Sequence, residues 1–285
     1  MLLQSVLLVT IITLGFSFAV IFSKVSLGEI KPERFAMIYT FGAIVVIAIQ
    51  TLIFHIMGEA PFIINSDAIM IIVAASFGAL AYLSAYIGLK GTAAGISTTV
   101  FNLQGPLIIL VGAVVYRIIP GYPVILGVAI SLFGLFLFGV KDIKKSLKLS
   151  RSFIFLSLSP FLWALEWVSF SLVSSISPMF YTFVLYFLIF LMLFVANNVI
   201  IRPKLVSSRK ARIFAMIGGI FSGVANGSYG IFLSSNGTTL TGVITLLSVP
   251  VSVLLVMATL KEQYSGLEIG GIVIIFAGLL VATFM

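Results

Sequence analysis

The chain contains no cysteine and a single histidine. Disulfides, thiolate metal sites and cysteine nucleophiles are thereby excluded, and one imidazole supplies neither a histidine-rich metal pattern nor a convincing nucleophile triad. Charge is almost as scarce. Asp, Glu, Lys and Arg make up 8% of the 285 residues, and only 8 residues are acidic. A soluble domain carries about 25% charged residues. With 61% hydrophobic residues and a mean hydropathy of +1.28, this composition excludes a soluble fold. No Walker motif for ATP is present, so any work the protein does must draw on a gradient or an exchange, and no metal or cofactor is expected. The net charge of +8 does not point to nucleic acid, because no basic run is interleaved with base-stacking aromatics. Basic loops held against anionic lipid headgroups account for it.

What is present is a succession of apolar runs, broken by charge or by Gly/Pro clusters. They predict ten helices of membrane-spanning length: Leu2 to Ser23, Ala36 to Met57, Ala68 to Leu89, Ala93 to Tyr116, Tyr122 to Val140, Phe153 to Val173, Met179 to Ile201, Ile213 to Ser234, Thr238 to Leu260 and Leu267 to Met285. The basic residues sort by side. Connections after the odd-numbered runs hold Lys24, Lys31 and Arg34; Lys90; Lys141, Lys144, Lys145, Lys148 and Arg151; Arg202, Lys204, Arg209, Lys210 and Arg212; and Lys261, whereas the opposite side holds Arg117 alone. Lys and Arg in short loops favour the cytoplasmic side, so this asymmetry predicts that both termini face out. A multi-pass protein of the plasma membrane is the expectation.

A shift of 144 residues lays Gly95-to-Val140 on Thr239-to-Phe284 without a gap. Pro106 meets Pro250, Arg117 meets Lys261, Gly127 meets Gly271 and Gly134 meets Gly278. Upstream, a further shift of two pairs Pro32 with Pro178. Two halves of five helices, residues 1–141 and 142–285, are therefore expected. Five is odd, so the halves would be inverted relative to each other, an arrangement that places a transporter's substrate site at the repeat interface near mid-bilayer. The expected fold class is an all-α membrane protein of ten transmembrane helices, two inverted five-helix repeats around a central cavity.

These residues carry a resemblance to a family. Lys24, the Pro32 and Arg34 that open the second helix, the run "YIGLKGTAAGISTTVFNLQGPLIILVGAVVYR" followed by "GVAISLFGLFLFGV", and the later run "TGVITLLSVPVSVLLVMATLKEQYSGLEIGGIVIIFAGLLV" together resemble the drug/metabolite transporter superfamily, in its EamA-type ten-helix branch. Leu260, Lys261 and Glu262 are similar to that family's leucine, variable residue, glutamate signature. Two features depart from the pattern: Arg117 and Ile118 stand where the first-half glutamate usually is, and the predicted termini lie opposite to the family's common cytoplasmic placement. The resemblance implies a secondary transporter that exports or exchanges small metabolites by alternating access, among which amino acids, nucleobase-like compounds and drugs all occur.

Within the runs, Glu166 is the one acidic residue deep inside a helix. A charge there costs about 2.5–3.5 kcal/mol on insertion scales, so the carboxyl should face a cavity, be paired or be protonated. It reads as a proton- or cation-binding site, with a protonated glutamate hydrogen-bonded to a neighbouring helix as the structural alternative. Trp163, Glu166, Trp167 and Phe170 are spaced to share a helix face, and both tryptophans of the chain flank the carboxyl. Such a box could stack an aromatic solute or hold an organic cation. Asn102 and Gln104 before Pro106, Ser248 before Pro250, Asn226 with Tyr229, and Tyr82 with Tyr86 are further polar candidates. Pro106, Pro250 and Pro160 are expected to break or bend their helices and free backbone groups. His55 reads as an interface residue, and Gly219, Gly223 and Gly227 as a close-packing stripe. The expected function is a secondary active transporter of small organic solutes, tilted toward aromatic ones and amino acids, with Glu166 as the coupling or substrate-amine contact. Protons or another ion are the expected coupling partner, lipid the surroundings, and a monomer or weak dimer the assembly. A channel-like path for cations is the alternative.

Overall fold

The computed structural model describes residues 2–58, 68–92, 94–117, 119–145, 151–173, 176–201, 208–261 and 265–284. They form α1 (Leu2–Leu27), α2 (Pro32–Ile56), α3 (Ala68–Gly91), α4 (Ala94–Phe101), α5 (Gln104–Tyr116), α6 (Tyr122–Lys145), α7 (Arg151–Ser171), α8 (Pro178–Val195), which continues into a π-helical stretch (Ala196–Ile201), α9 (Arg209–Leu260) and α10 (Gly266–Phe284). No strand occurs among the described residues. Local chemistry sets several starts. Proline at the first position of α2 and α8 supplies a preset φ where no N–H is needed. Ser177 and Ser208 each cap a helix by accepting a backbone N–H, from Phe180 at 3.3 Å and Ala211 at 3.1 Å.

One helix differs from the sequence expectation. The run from Ala93 to Tyr116 is not one helix but α4 and α5, parted by a turn at Asn102 and Leu103. Pro106 is the cause: it has no N–H for the Asn102 carbonyl, which instead accepts from Gly105 at 3.2 Å, while Leu103 N–H bonds back to Val100 at 3.1 Å. The runs from Ile213 and from Thr238, expected as two helices, are the two segments of α9, parted at Gly237, whose φ of 75° and ψ of 175° are open essentially to glycine alone. The other two prolines do not break their helices. Pro160 and Pro250 lie inside α7 and α9. At Pro160 the orphaned Leu156 carbonyl is taken by the Ser159 hydroxyl at 2.8 Å, so no acceptor is freed there. α5 and α9 both end in left-handed caps at non-glycine residues, Arg117 (φ 54°) and Lys261 (φ 55°).

The packing is inside-out relative to a soluble protein. Large apolar side chains point outward, among them Ile56, Val114, Leu254 and Val273, while Ser17, Thr40, Asn102, Thr182, Asn226 and Thr241 are buried. Five segments, Ser5–Leu27, Pro32–Ile56, Ile69–Gly91, Pro178–Val199 and Arg209–Thr245, are long and apolar enough to cross a membrane, as in an integral membrane protein.

Glycine lets the helices meet backbone to backbone. The first part of α9 lies between α1 and α2: a β-carbon at Gly223 would stand 2.6 Å from the Ala43 carbonyl oxygen, and one at Gly15 2.9 Å from that of Phe221. The stripe of Gly219, Gly223 and Gly227 thus faces α2, an internal contact rather than a surface for a second copy. α3 meets α7 at Gly88 and Leu156, and α5 meets α9 at Gly105 and Gly242. α6 and α10 pair Gly127 with Gly278 and Gly134 with Gly271, and between them Ser131 donates to the Ile275 carbonyl at 3.3 Å. Around this seam Ile109, Val128, Val253, Ile272 and Ile275 form a small separate core.

Candidate functional site

Buried polar residues from several helices converge on one cavity, which aromatic rings, hydroxyls and amides line together. α1, α2, α3, α4, α5, α7, α8 and α9 contribute to its wall. The two parts of the broken helix meet it: Phe101 closes α4, Gln104 opens α5, and Asn102 in the turn between them faces it as well. The break that Pro106 causes therefore brings a loosened stretch of backbone to the cavity, although Pro106 itself does not line it.

Eight of the residues expected at the site line this space together: Tyr82, Tyr86, Asn102, Gln104, Trp163, Trp167, Asn226 and Tyr229. Glu166 and Phe170 do not. Phe170 packs one layer behind, edge-on to Tyr181 at 4.5 Å and 5.9 Å from Trp167. Glu166 is fully buried and turned away from the cavity, its carboxyl beside Gly78 of α3, so the substrate-amine contact expected of it has no geometric basis. All four residues fall within about 100° of the helix circumference, with Glu166 and Phe170 at one edge of that face and Trp163 and Trp167, which line the cavity, toward the other. Pro160 and Pro250 are not in the wall, and the Ser248 side chain is outside the described residues. His55 is exposed at the end of α2.

The sequence expectation did not include Tyr39 and Tyr186, nor the hydroxyls of Ser23, Thr98, Ser222, Thr245 and Ser252. Tyr186 lies in a stretch of α8, Phe183 to Val195, that is otherwise apolar, and its partner identifies it: its hydroxyl shares a 2.7 Å hydrogen bond with Tyr82. The aromatic rings form two groups. Tyr39, Tyr82 and Tyr86 have centroids 5.2–5.9 Å apart, and Trp163 stands edge-on to both Tyr82 (5.6 Å) and Phe101 (5.3 Å). Opposite them Trp167 meets Tyr229 at 4.6 Å. Polar groups interleave the rings. Asn226 donates to the Ser222 carbonyl at 2.8 Å, Asn102 to the Thr98 carbonyl at 2.7 Å, and Tyr229 shares a 3.2 Å bond with Thr245. The buried Thr98 hydroxyl has no hydrogen-bond partner among the described residues, which leaves it for a ligand. No Asp, Glu, Lys, Arg or His lines the described wall. It can stack a planar group between rings and meet its polar edge with hydroxyls and amides, but it offers no fixed charge.

Two lysines tie α1 and the turn after it to the end of α3, beside the cavity. Lys24 of α1 donates to the carbonyls of Leu89, at 3.1 Å, and Thr92, both at the C-terminal end of α3, and Lys90 donates to Ile30 at 3.2 Å. Ammonium groups at carbonyls left open by a helix end are favourable in both hydrogen bonding and dipole. Ser23 and Leu89, beside Lys24 and its acceptor, line the cavity. Because the chain has no cysteine, whether this tie limits access to the cavity can be read directly: in a Ser23→Cys background, Lys24→Met should raise maleimide labelling severalfold. An unchanged labelling rate would show that the tie does not close the cavity.

No known family model matches the chain, and no curated protein matches it. Solved structures do. One, described in print only as "Crystal structure of protein", superposes with a TM-score of 0.77 over 98% of this chain and 96% of the other, at 16% identity. At that identity the likeness speaks to the fold alone.

Proposed function

We propose that the protein is a secondary transporter of small organic solutes, a member of the EamA-type branch of the drug/metabolite transporter superfamily, located in the plasma membrane and working by alternating access. The observation that carries this reading is the cavity, where aromatic faces, hydroxyls and amides from eight helices converge in the middle of a lipid-facing bundle. An inside-out protein keeps a polar, unfilled centre at a cost in stability, and a solute-binding task gives that centre a use.

In this reading the chain has ten spans in two inverted halves. Contacts between the halves support the symmetry. Under the 144-residue shift, Gly127 corresponds to Gly271 and Gly134 to Gly278, yet the contacts run crosswise, Gly127 to Gly278 and Gly134 to Gly271. That is the pattern of an isologous interface, in which i touches j and j touches i. Ser131 bonds to its own counterpart, Ile275, as a pair lying on the axis must. Arg117 and Lys261, the two non-glycine residues with left-handed backbone among those described, also correspond. The wall draws on both halves, as a site at the repeat interface requires.

The uncharged, ring-lined wall favours aromatic or amphipathic solutes, zwitterionic amino acids among them. It does not favour a cation path, for which carboxylates in the wall would be expected. Reconstituted protein should support saturable counterflow of a labelled aromatic amino acid or of a solute drawn from a metabolite panel. Unsaturable electrogenic ion flux, or no flux with any solute that raises the melting temperature, would overturn the carrier.

A further inference from the structure

Glu166 has a place of its own in the bundle. It follows Trp163 by three residues and directly precedes Trp167, both of the cavity wall, yet it is 0% exposed and does not reach the cavity. Its carboxyl lies between α7 and α3, where a β-carbon on Gly78 would stand 2.9 Å from Oε2, and Ile189 of α8 closes the same spot. Neither carboxyl oxygen has a hydrogen-bond partner among the described residues. A second buried group nearby is also unpartnered, the hydroxyl of Tyr181 on α8. The titratable groups close enough to sense the carboxyl's charge are Tyr82 on α3, Tyr181 and Tyr186 on α8 and Tyr229 on α9, with no basic residue among them.

This geometry separates the possible roles. An acid used only as interhelical glue donates its proton to an acceptor, as Ser26 does to Ala211 across α1 and α9 at 2.7 Å; Glu166 donates to none. A metal ion would need several ligands, and no cluster of three His, Cys, Asp or Glu exists among the described residues. An organic cation would need open space beside the carboxyl, and that space is filled by Ile189 and the α3 backbone. A proton needs neither ligands nor room. We propose that Glu166 is a proton-binding site in a dry compartment between α3, α7 and α8, walled off from the solute cavity by Trp167 and the hydrogen-bonded Tyr82–Tyr186 pair.

Proton and solute then occupy separate places joined by shared residues: Tyr82 and Tyr186 line the cavity and also sense the carboxyl, and Trp167, in the cavity wall, is the next residue in the chain. With Glu166 fully buried, water reaches it when the packing of α3, α7 and α8 around Gly78 and Ile189 opens, so proton exchange would be confined to such a conformation. That the proton drives transport rests on the carrier reading above; that Glu166 binds and releases it does not.

The test needs no transported solute. Infrared difference spectra of the reconstituted full chain, titrated from acid to alkaline pH, should show a protonated-carboxyl C=O band that fades as pH rises. The band should be lost in Glu166→Gln and shift in frequency when the protein is made with carbon-13-labelled glutamate. If Glu166→Gln fails to fold, Glu166→Asp serves instead, since it keeps an acid at this position and should move the band in frequency and lose its shift with labelled glutamate. A Glu166 band that persists unchanged across the titration, or its absence throughout, would overturn the proposal. The carrier reading stands or falls separately on counterflow.

Discussion

Replacing Gly223 with leucine should leave little folded protein. The obstacle is backbone rather than side chain: a β-carbon at this position would meet Ala43 O at 2.6 Å, Ala43 Cα at 2.9 Å and Ala43 C at 3.1 Å. No rotamer change on α2 relieves such a contact, so α2 and α9 must move apart. Gly219 against Tyr39 and Gly42 against Met216 make the same seam close on either side, so the shift propagates along it. Overpacking usually costs about 1–3 kcal/mol, and a clash of main chain on main chain belongs at or above the top of that range, about 3 kcal/mol or more. The measurement is the monodisperse fraction in size-exclusion chromatography together with the melting temperature in detergent. Gly270 is the matched control. It lies in α10, where an added β-carbon would meet nothing within 4 Å, and alanine there should be neutral or stabilising by up to about 1 kcal/mol. Equal tolerance at the two sites would contradict the close α2–α9 contact.

Trp163→Ala should weaken solute binding about tenfold to a hundredfold, or about 1.4–2.8 kcal/mol, while the protein still folds. Trp163 is half-buried, with its ring held edge-on by Tyr82 and Phe101 and its free side toward the cavity. Alanine removes a stacking face without opening the core. Trp167→Ala is the instructive comparison, since that ring is 2% exposed and locked against Tyr229. Its loss should lower the melting temperature far more, by the roughly 3–5 kcal/mol that large buried aromatics carry. Solute-dependent thermal shifts of both variants separate the two effects. If Trp163→Ala keeps the wild-type midpoint for a solute that competes in counterflow, the ring is not part of the site.

The helices were legible because lipid-facing and lipid-buried segments alike must be apolar, and the interruptions between them carry nearly all the charge. Their internal breaks were less so. Pro106 marked the right neighbourhood, but the broken residues are Asn102 and Leu103, because proline withdraws the bond of the carbonyl four residues earlier. Pro160 carried the same signal and broke nothing, since Ser159 supplied a substitute donor. Paired polar positions such as Tyr82 with Tyr86, or Asn226 with Tyr229, stood out against an apolar run and share one cavity. Ser23, Thr98, Thr245 and Ser252 did not stand out, because a small hydroxyl in such a helix so often bonds its own backbone, as Thr10 and Ser76 do. Glu166 was conspicuous in sequence, but which neighbour covers it depends on how α3 and α8 settle against α7, which no local pattern contains.

The seam between α6 and α10 bears on how the chain comes together during synthesis. Ser131 and Ile275, which bond across it, are 144 residues apart in the chain. α6 is therefore made with Gly127, Ser131 and Gly134 facing provisional neighbours, and it keeps them so until the ribosome has delivered α10. At about 5–20 residues per second that wait lasts several seconds or longer. The α1–α9 and α2–α9 contacts join residues still farther apart in the chain, but this one involves the last helix described, and the nascent protein passes through a stage in which a glycine-lined strip of α6 is open to any helix that fits it.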